Sequence, residues 1–335
     1  MSFLGRHRAL AGLAVGVPVS LVFLWLAVRD ANLDEVWETL RGADAADVAL
    51  GVALLLAVYL AQAARWRSIA GARTLSTLRF YEMVVSAVAC NNVLPARLGD
   101  VLRARWLNVH GRMPAGRALG TVVLDRGCDL AALVGLLAVG LLAVTAAGWL
   151  VRIVLASALA VGLLVGAVVF ARLYTARRAR GRHARGLVRR IARDVVEQLA
   201  EPIGRRRLLL WAGLSVLAWT VWATGAVLVA RSLGIELSPL EGVFVAAVMN
   251  LGVAIPSSPG FVGTYEWLGV ASLGLLDVPA TDALAFAILL HAAWYVPTTL
   301  GGGAALAVRG AGRLRAARRG DASGEPAADE RAEHA

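Results

Sequence analysis

Three short stretches carry residue types that could do chemistry, in a chain that is otherwise mostly apolar. The first is Asn91-Asn92-Val93-Leu94-Pro95-Ala96-Arg97-Leu98-Gly99-Asp100, with Arg103 one turn further on. Pro95 removes a backbone donor and disfavours helical geometry at Leu94. Gly99 permits close approach of another backbone. Arg97 and Arg103 offer planar forks suited to phosphate. A helix beginning near Gly99 would add free N–H groups and the positive end of a helix dipole. Asp100 would hold one Arg in place or cap that helix. The chemistry indicated is binding of an anionic headgroup. The plainer alternative is an interface turn with a capping Asp and snorkelling Arg side chains.

The second stretch holds Asp125, Arg126 and Asp129. The two acids are four residues apart and share a helix face, and Arg126 can pair with Asp129. Ionisable groups inside a span usually face protein or water. They read as a charge relay or as counter-ions for Arg97; at a membrane interface they would be ordinary boundary residues. The third stretch is Pro256-Ser257-Ser258-Pro259-Gly260-Phe261-Val262-Gly263-Thr264-Tyr265-Glu266. Two Pro and two Gly unwind the chain, and Ser257 and Ser258 supply hydroxyls. Glu266, in an otherwise apolar return helix, is a candidate protonation site or Arg partner. A packing kink is the plainer alternative. His291 lies inside a late apolar run, where a lone His is more often a buried hydrogen-bonding residue than a ligand. Asn91, Asn92, Arg97, Gly99, Asp100, Arg103, Asp125, Arg126, Asp129, Ser257, Ser258, Gly260, Gly263 and Glu266 therefore form the expected substrate-binding set.

The elements that must position these residues follow from composition. Of 335 residues 59% are hydrophobic, with a mean hydropathy of +0.67, which places the chain in the membrane class. The net charge of +11 comes from Arg alone among the basic residues. Those Arg sit in loops between apolar runs, as the positive-inside rule expects, so nucleic acid is excluded as the partner. Cys90 and Cys128 are isolated and the five His are scattered. No catalytic triad, metal motif or nucleotide fingerprint is present, so neither catalytic residues nor a cofactor are expected.

Six apolar runs predict full spans, at residues 10–28, 48–64, 118–150, 153–171, 208–230 and 283–308. Arg65 and Arg67 follow the second as boundary residues. Residues 29–47 form an acidic external loop, and residues 172–207 carry 12 Arg against three acids. Within that loop, residues 187–199 show helical spacing suited to the membrane surface. The segments 81–94 and 243–256 are too short to span and end in the broken stretches. The expected fold is an all-α polytopic membrane protein with six spans and two re-entrant hairpins, or eight spans if each hairpin crosses fully. The hairpins insert from opposite sides, as in an inverted repeat whose broken segments meet near the midplane. Both termini fall in the cytoplasm of a plasma-membrane protein. The membrane domain is expected over residues 1–319, and residues 320–335 as a disordered tail.

The motifs Asn92-Val93-Leu94-Pro95-Ala96-Arg97-Leu98-Gly99-Asp100 with Arg103, Asp125-Arg126, and Pro256-x-x-Pro-Gly-x-x-Gly-x-x-Glu266 resemble the lysylphosphatidylglycerol synthase transmembrane, or flippase-like, family. The resemblance covers about residues 8–310. Some members are fused to a soluble aminoacyl transferase, which these residues do not contain. The resemblance therefore implies lipid handling rather than lipid synthesis. An anionic phospholipid or polyprenyl-phosphate lipid is the expected partner. An integral-membrane enzyme or accessory protein of polyprenyl-phosphate-linked glycan modification is the alternative. A third possibility is a non-transporting protein that recruits a separate cytoplasmic enzyme through residues 172–207. A homo-oligomer is also compatible with the sequence.

Overall fold

A computed structural model describes residues 3–72, 74–94, 97–144, 186–253 and 257–323. The apolar runs fold as helices because in lipid every backbone N–H and C=O must be satisfied within its own segment. Eleven helices are numbered here along the described residues: α1 (Phe3–Val28), α2 (Leu33–Arg41), α3 (Ala45–Ala70), α4 (Thr77–Val93), α5 (Leu98–His110), α6 (Ala115–Gly140), α7 (Leu187–Ala200), α8 (Arg205–Ser232), α9 (Pro239–Gly252), α10 (Thr264–Gly274) and α11 (Ala280–Ser323). Among the described residues there is no strand.

The molecule is an all-α polytopic membrane protein. Among the described residues four segments are long and apolar enough to cross a bilayer: Ala45–Ala70, Ala115–Ala143, Arg205–Ser232 and Ala280–Arg309. A fifth is available if the pair Gly16–Val28 and Leu33–Arg41, bent by 82°, counts as one span. The sixth expected span, residues 153–171, lies outside the described residues. The acidic stretch after α1 is a helix rather than a loop. Asn32 caps α2, its side chain accepting from the Asp34 N–H, and Val36 is buried beneath. The expected helix inside the Arg-rich segment is α7. It packs on the start of α6, where Gly116 lies against Ile191 and Asp194, and Gly120 against Gln198. The helix α11 runs through Ser323.

The packing repeats itself. In the first half α3, α4, α5 and α6 each pack on the next; in the second half α8, α9, α10 and α11 do the same. Across the halves α4 packs on α11 as α9 packs on α6, and α3 packs on its own counterpart α8. Even the short helices obey the exchange: α2 lies on α11 and α7 on α6. The direction of the repeat is fixed by the α3–α8 seam. At one end Asp47 pairs with Arg231, midway Gly51 and Leu55 meet Gly225, and at the other end Arg65 and Ser68 meet Ser215 and Trp211. Equivalent helices therefore run antiparallel, and the two halves are inverted. Gly51 and Gly225 let the two backbones approach closely.

The breaks fall where the sequence puts them. Helix α4 stops at Val93, with Leu94 extended, and α5 restarts at Leu98. Helix α9 stops at Gly252, and α10 restarts at Thr264 after a single 3₁₀ turn, Pro259–Phe261.

Candidate functional site

Both breaks open onto one cavity of about 350 Å³ at mid-height of the bundle. Its depth follows from its walls. Tyr59 and Gln62 come from the middle of α3, and Trp219 and Trp222 from the middle of α8. The first break contributes Asn91, Asn92, Arg97 and Asp100; the second contributes Asn250, Val253, Phe261 and Tyr265. Every one of α3–α6 and α8–α11 reaches this space, Trp294 being the contribution of α11. The two broken segments thus meet, as the inverted repeat predicts, and they touch directly. The Arg97 guanidinium donates to the Val253 carbonyl at 2.8 Å, and Tyr295 of α11, against which Gly260 lies, donates from its hydroxyl to the Asn92 carbonyl at 3.4 Å.

Local sequence explains the shape of the first break. Arg97 takes left-handed backbone geometry, φ 52° and ψ 41°. For a residue with a Cβ this conformation costs about 1–2 kcal/mol, so the surrounding packing must hold it. Two residues on, Gly99 is pressed against the preceding helix. A Cβ there would lie 2.0 Å from the Ala87 carbonyl oxygen. The Gly99 N–H donates to the Asn91 side-chain oxygen at 2.7 Å. One of the N–H groups expected to be free for a ligand is therefore satisfied by the protein. Asn92 is buried and donates to Thr299 at 2.7 Å and to Thr298 at 3.3 Å, tying the end of α4 to α11.

A network of charges runs from the cavity wall, at Asp100, Arg126 and Asp129, to Arg65, Arg103 and Asp125 buried behind it. Arg65, fully buried in α3, donates to Asp125 at 2.8 Å, to Asp129 at 2.9 Å and to Ser215 at 2.8 Å. Arg103, also buried, donates to the other Asp125 oxygen at 2.6 Å, and its guanidinium lies 4.1 Å from the centre of the Trp66 ring. Arg126 bridges Asp129 at 3.4 Å and Asp100 at 3.5 Å. The Trp219 indole N–H donates to Asp129 at 3.1 Å. Removing one partner of such a buried pair typically costs about 3–5 kcal/mol.

This network amends three expectations. Asp125 and Asp129 are not counter-ions of Arg97; they hold Arg65, Arg103 and Arg126. Arg103 does not face the cavity but stands behind it as a strut. Arg65 was expected to be a boundary residue after a span ending at Ala64. Instead α3 continues to Ala70 and turns Arg65 inward. Two carboxylates on one face of α6 demanded more cations than Arg126 could provide, and that was the available signal.

The third stretch divides in two. Phe261 and Tyr265 face the cavity. Ser257, Ser258 and Gly263 pack instead against α1: the Ser258 N–H donates to the Ser20 hydroxyl at 2.8 Å, and a Cβ on Gly263 would lie 2.2 Å from the Ser20 carbonyl oxygen. Gly260, at φ 75°, lies beneath the Tyr295 ring. Glu266 is buried and, among the described residues, has no Arg partner. One of its oxygens accepts the Gly263 N–H at 2.5 Å, capping its own helix, and the other lies 2.6 Å from His291 Nδ1. His291 is accordingly the buried hydrogen-bonding residue the sequence suggests.

The family model for the lysylphosphatidylglycerol synthase transmembrane region matches residues 10–302, and so includes both breaks and the charge network. The chain belongs to this family. It is also similar to glycosyltransferase AglD of Haloferax volcanii, at 30% identity over 89% of this chain and 54% of that protein. The chain thus spans about half the length of the curated relative it matches. Membership of the lysylphosphatidylglycerol synthase transmembrane-region family and the likeness to AglD both connect this kind of membrane protein with lipid or glycan modification.

Proposed function

We propose that the protein moves an anionic lipid, a phospholipid or a polyprenyl-phosphate lipid, between leaflets of the plasma membrane. The observation that carries this reading is the mid-depth cavity where two oppositely directed broken helices meet, with Arg97 at its wall. Discontinuous helices around a central site are how inverted-repeat transporters hold polar cargo in a membrane. Arg97 would take the phosphate in exchange for its carbonyl contact, while the acyl or prenyl chains remain in lipid. Rocking of one half against the other about the α3–α8 seam would alternate access. On this reading both termini lie in the cytoplasm, an orientation that the positive-inside rule supports.

The test is leaflet exchange of fluorescent anionic phospholipids in liposomes holding purified protein. Arg97→Ala should reduce exchange by about 100-fold, as loss of a charged contact worth roughly 3 kcal/mol would do, with normal insertion. Normal exchange by this variant overturns the role given to Arg97. A second reading draws on the likeness to AglD: an integral-membrane enzyme or accessory protein acting on a lipid-linked sugar. It predicts a chemically altered lipid or sugar, which mass spectrometry of the same liposomes would detect.

A further inference from the structure

The transport reading leaves the driving force unspecified, and the charges at the two breaks point to one. At the first break four guanidinium groups, Arg65, Arg97, Arg103 and Arg126, stand with three carboxylates, Asp100, Asp125 and Asp129. One positive charge is left over. Among the described residues Arg97 alone of the four makes no ion pair; its contact is a carbonyl. The second break carries the counterpart. Glu266 and His291 are both buried, with His291 Nδ1 2.6 Å from one Glu266 oxygen. The other Glu266 oxygen accepts the Gly263 N–H. Glu266 thus accepts on both oxygens, as an ionised carboxylate does, and Nδ1 carries the hydrogen it donates. That tautomer leaves Nε2 with a bare lone pair, buried and, among the described residues, without a hydrogen-bond partner. In this form the pair bears one negative charge, equal and opposite to the surplus at Arg97.

The two charge sites grip the same backbone. Arg97 holds the Val253 carbonyl where α9 ends, and Glu266 holds the Gly263 N–H where α10 begins. The second break is pinned at both ends, by a cation and by an anion. Aromatic rings join the pair to the cavity: Tyr265 and Trp294 line it and pack on the His291 ring, with centroids 4.5 and 5.4 Å away. Helix α10 packs on α1, α9 and α11, and α11 packs also on α2, α3, α4 and α8. Among the described residues the titratable neighbours from these elements are the Tyr265 and Tyr295 phenols beside His291, and Tyr59 of α3, which lines the cavity with Tyr265. Helix α4 brings one thiol, Cys90, two residues before the Asn92 that bonds Thr298. Helix α1 reaches Gly263 with Ser20 and Leu24. The formal charges of the packed helices are placed elsewhere. Asp47 pairs with Arg231, Glu82 with Arg309, and Glu241 caps α9. Asp282 stands in the first turn of α11, and the charges of α2 are exposed.

Resting on the proposed transport function, we infer that Glu266 and His291 form a proton-binding site that couples uptake of one proton to binding of the anionic lipid at Arg97. An anion bound at Arg97 alone leaves the buried site with net negative charge, which is costly inside a membrane. A proton passing from water to the His291 Nε2 lone pair restores neutrality; no other bond forms or breaks. Both clamps on the second break then loosen together. The lipid anion displaces the Val253 carbonyl from Arg97, and the imidazolium takes a larger share of the carboxylate that holds Gly263. Lipid and proton cross in the same direction, and the loaded carrier is electrically neutral. Each ligand strengthens binding of the other by the same factor.

The experiment uses the whole protein in two settings, with fluorescent phosphatidylglycerol as the probe. In weakly buffered detergent solution, a pH-indicator dye should report one proton taken up per lipid bound. In liposomes, a gradient of one pH unit should drive about a tenfold asymmetry of the probe between leaflets, beyond that in protein-free liposomes. A potassium diffusion potential should drive none, because the loaded carrier is neutral. His291→Gln keeps an amide donor for Glu266 but cannot take the proton, and should lose both proton uptake and the gradient response. Glu266→Gln, which keeps an acceptor for Gly263, should lose them too, and unfolding temperatures report whether each variant is folded. Arg97→Ala should lose proton uptake on lipid addition. Lipid exchange without proton uptake or gradient response overturns the coupling and leaves transport standing. Proton uptake on lipid binding that His291→Gln abolishes, with no exchange in liposomes, overturns transport and upholds the proton site. Gradient response retained by both His291→Gln and Glu266→Gln places the proton elsewhere and overturns the inference, as does a response to potential in place of pH.

Discussion

At the scale of single residues, the charge network and the strained Arg97 make opposite demands on stability. Arg65 donates to three acceptors on two neighbouring helices, α6 and α8. Arg65→Leu leaves Asp129 with only Trp219 and Arg126, and should destabilise the protein by about 3–5 kcal/mol. Arg65→Lys should recover little, since an ammonium cannot span the acceptors that a planar fork reaches together. Thermal unfolding of the purified variants checks both. Arg97 behaves in the other sense. Glycine takes left-handed geometry freely, so Arg97→Gly should leave the protein as stable as the parent or more so, while ending lipid exchange. A stable, inactive variant would place the strain at 97 in the service of function; an unstable one would show that the Arg97–Val253 contact holds the fold. Both aspartates and Arg97 were visible in the sequence because charge stands out in apolar runs. Arg65 was not, because an Arg followed by Arg67 at the end of such a run has the appearance of an interface anchor.

At the scale of elements, the breaks were legible because Pro and Gly act on the backbone locally, whatever the rest of the chain does. What surrounds each break was not. In the sequence the hydroxyls of Ser257 and Ser258 suit a ligand, with a packing kink as the alternative; the approach of Gly16 to the Ser257 carbonyl and the bond from the Ser258 N–H to the Ser20 hydroxyl place this stretch against α1. Likewise the acidic charges of α2 masked a helix with a single buried residue, Val36. The α4–α5 break offers the sharpest test. Gly99→Ala places a methyl group 2.0 Å from the Ala87 carbonyl oxygen and 2.7 Å from the Asn91 side-chain oxygen. Backbone must move, at a cost of about 1–3 kcal/mol or more, and the cavity wall moves with it. Gly301→Ala, on a helix face with nothing within 4 Å, should be tolerated. Lower thermal stability and slower exchange for Gly99→Ala alone would confirm that close packing of α5 on α4 shapes the cavity. Equal behaviour of the two variants would refute it.

At the scale of the whole molecule, the cavity lies where it does because the fold is inverted about it. Helices α3 and α8 are equivalent yet antiparallel, so whatever one half builds on one side of the membrane, the other builds on the opposite side. The sequence alone suggested this from the alternation of Arg-rich and acidic loops, without any internal identity to support it; the packing exchange supplies the missing warrant. The short helices make it testable. Helix α2 leads into α3 and α7 leads into α8, each from outside the bundle core. Antiparallel α3 and α8 put α2 and α7 at opposite ends. In a background lacking Cys90 and Cys128, Glu38→Cys on α2 and Glu197→Cys on α7 each present an exposed thiol in place of an exposed carboxylate. A membrane-impermeant maleimide added to intact cells should label position 38 and spare position 197, with the order reversed in inside-out vesicles. The proposed orientation puts α7 on the cytoplasmic side, which the positive-inside rule favours for its Arg-rich surroundings. Labelling of both positions from one side would mean that the halves are parallel. The two breaks could not then approach the cavity from opposite leaflets, and alternating access about the α3–α8 seam would lose its structural basis.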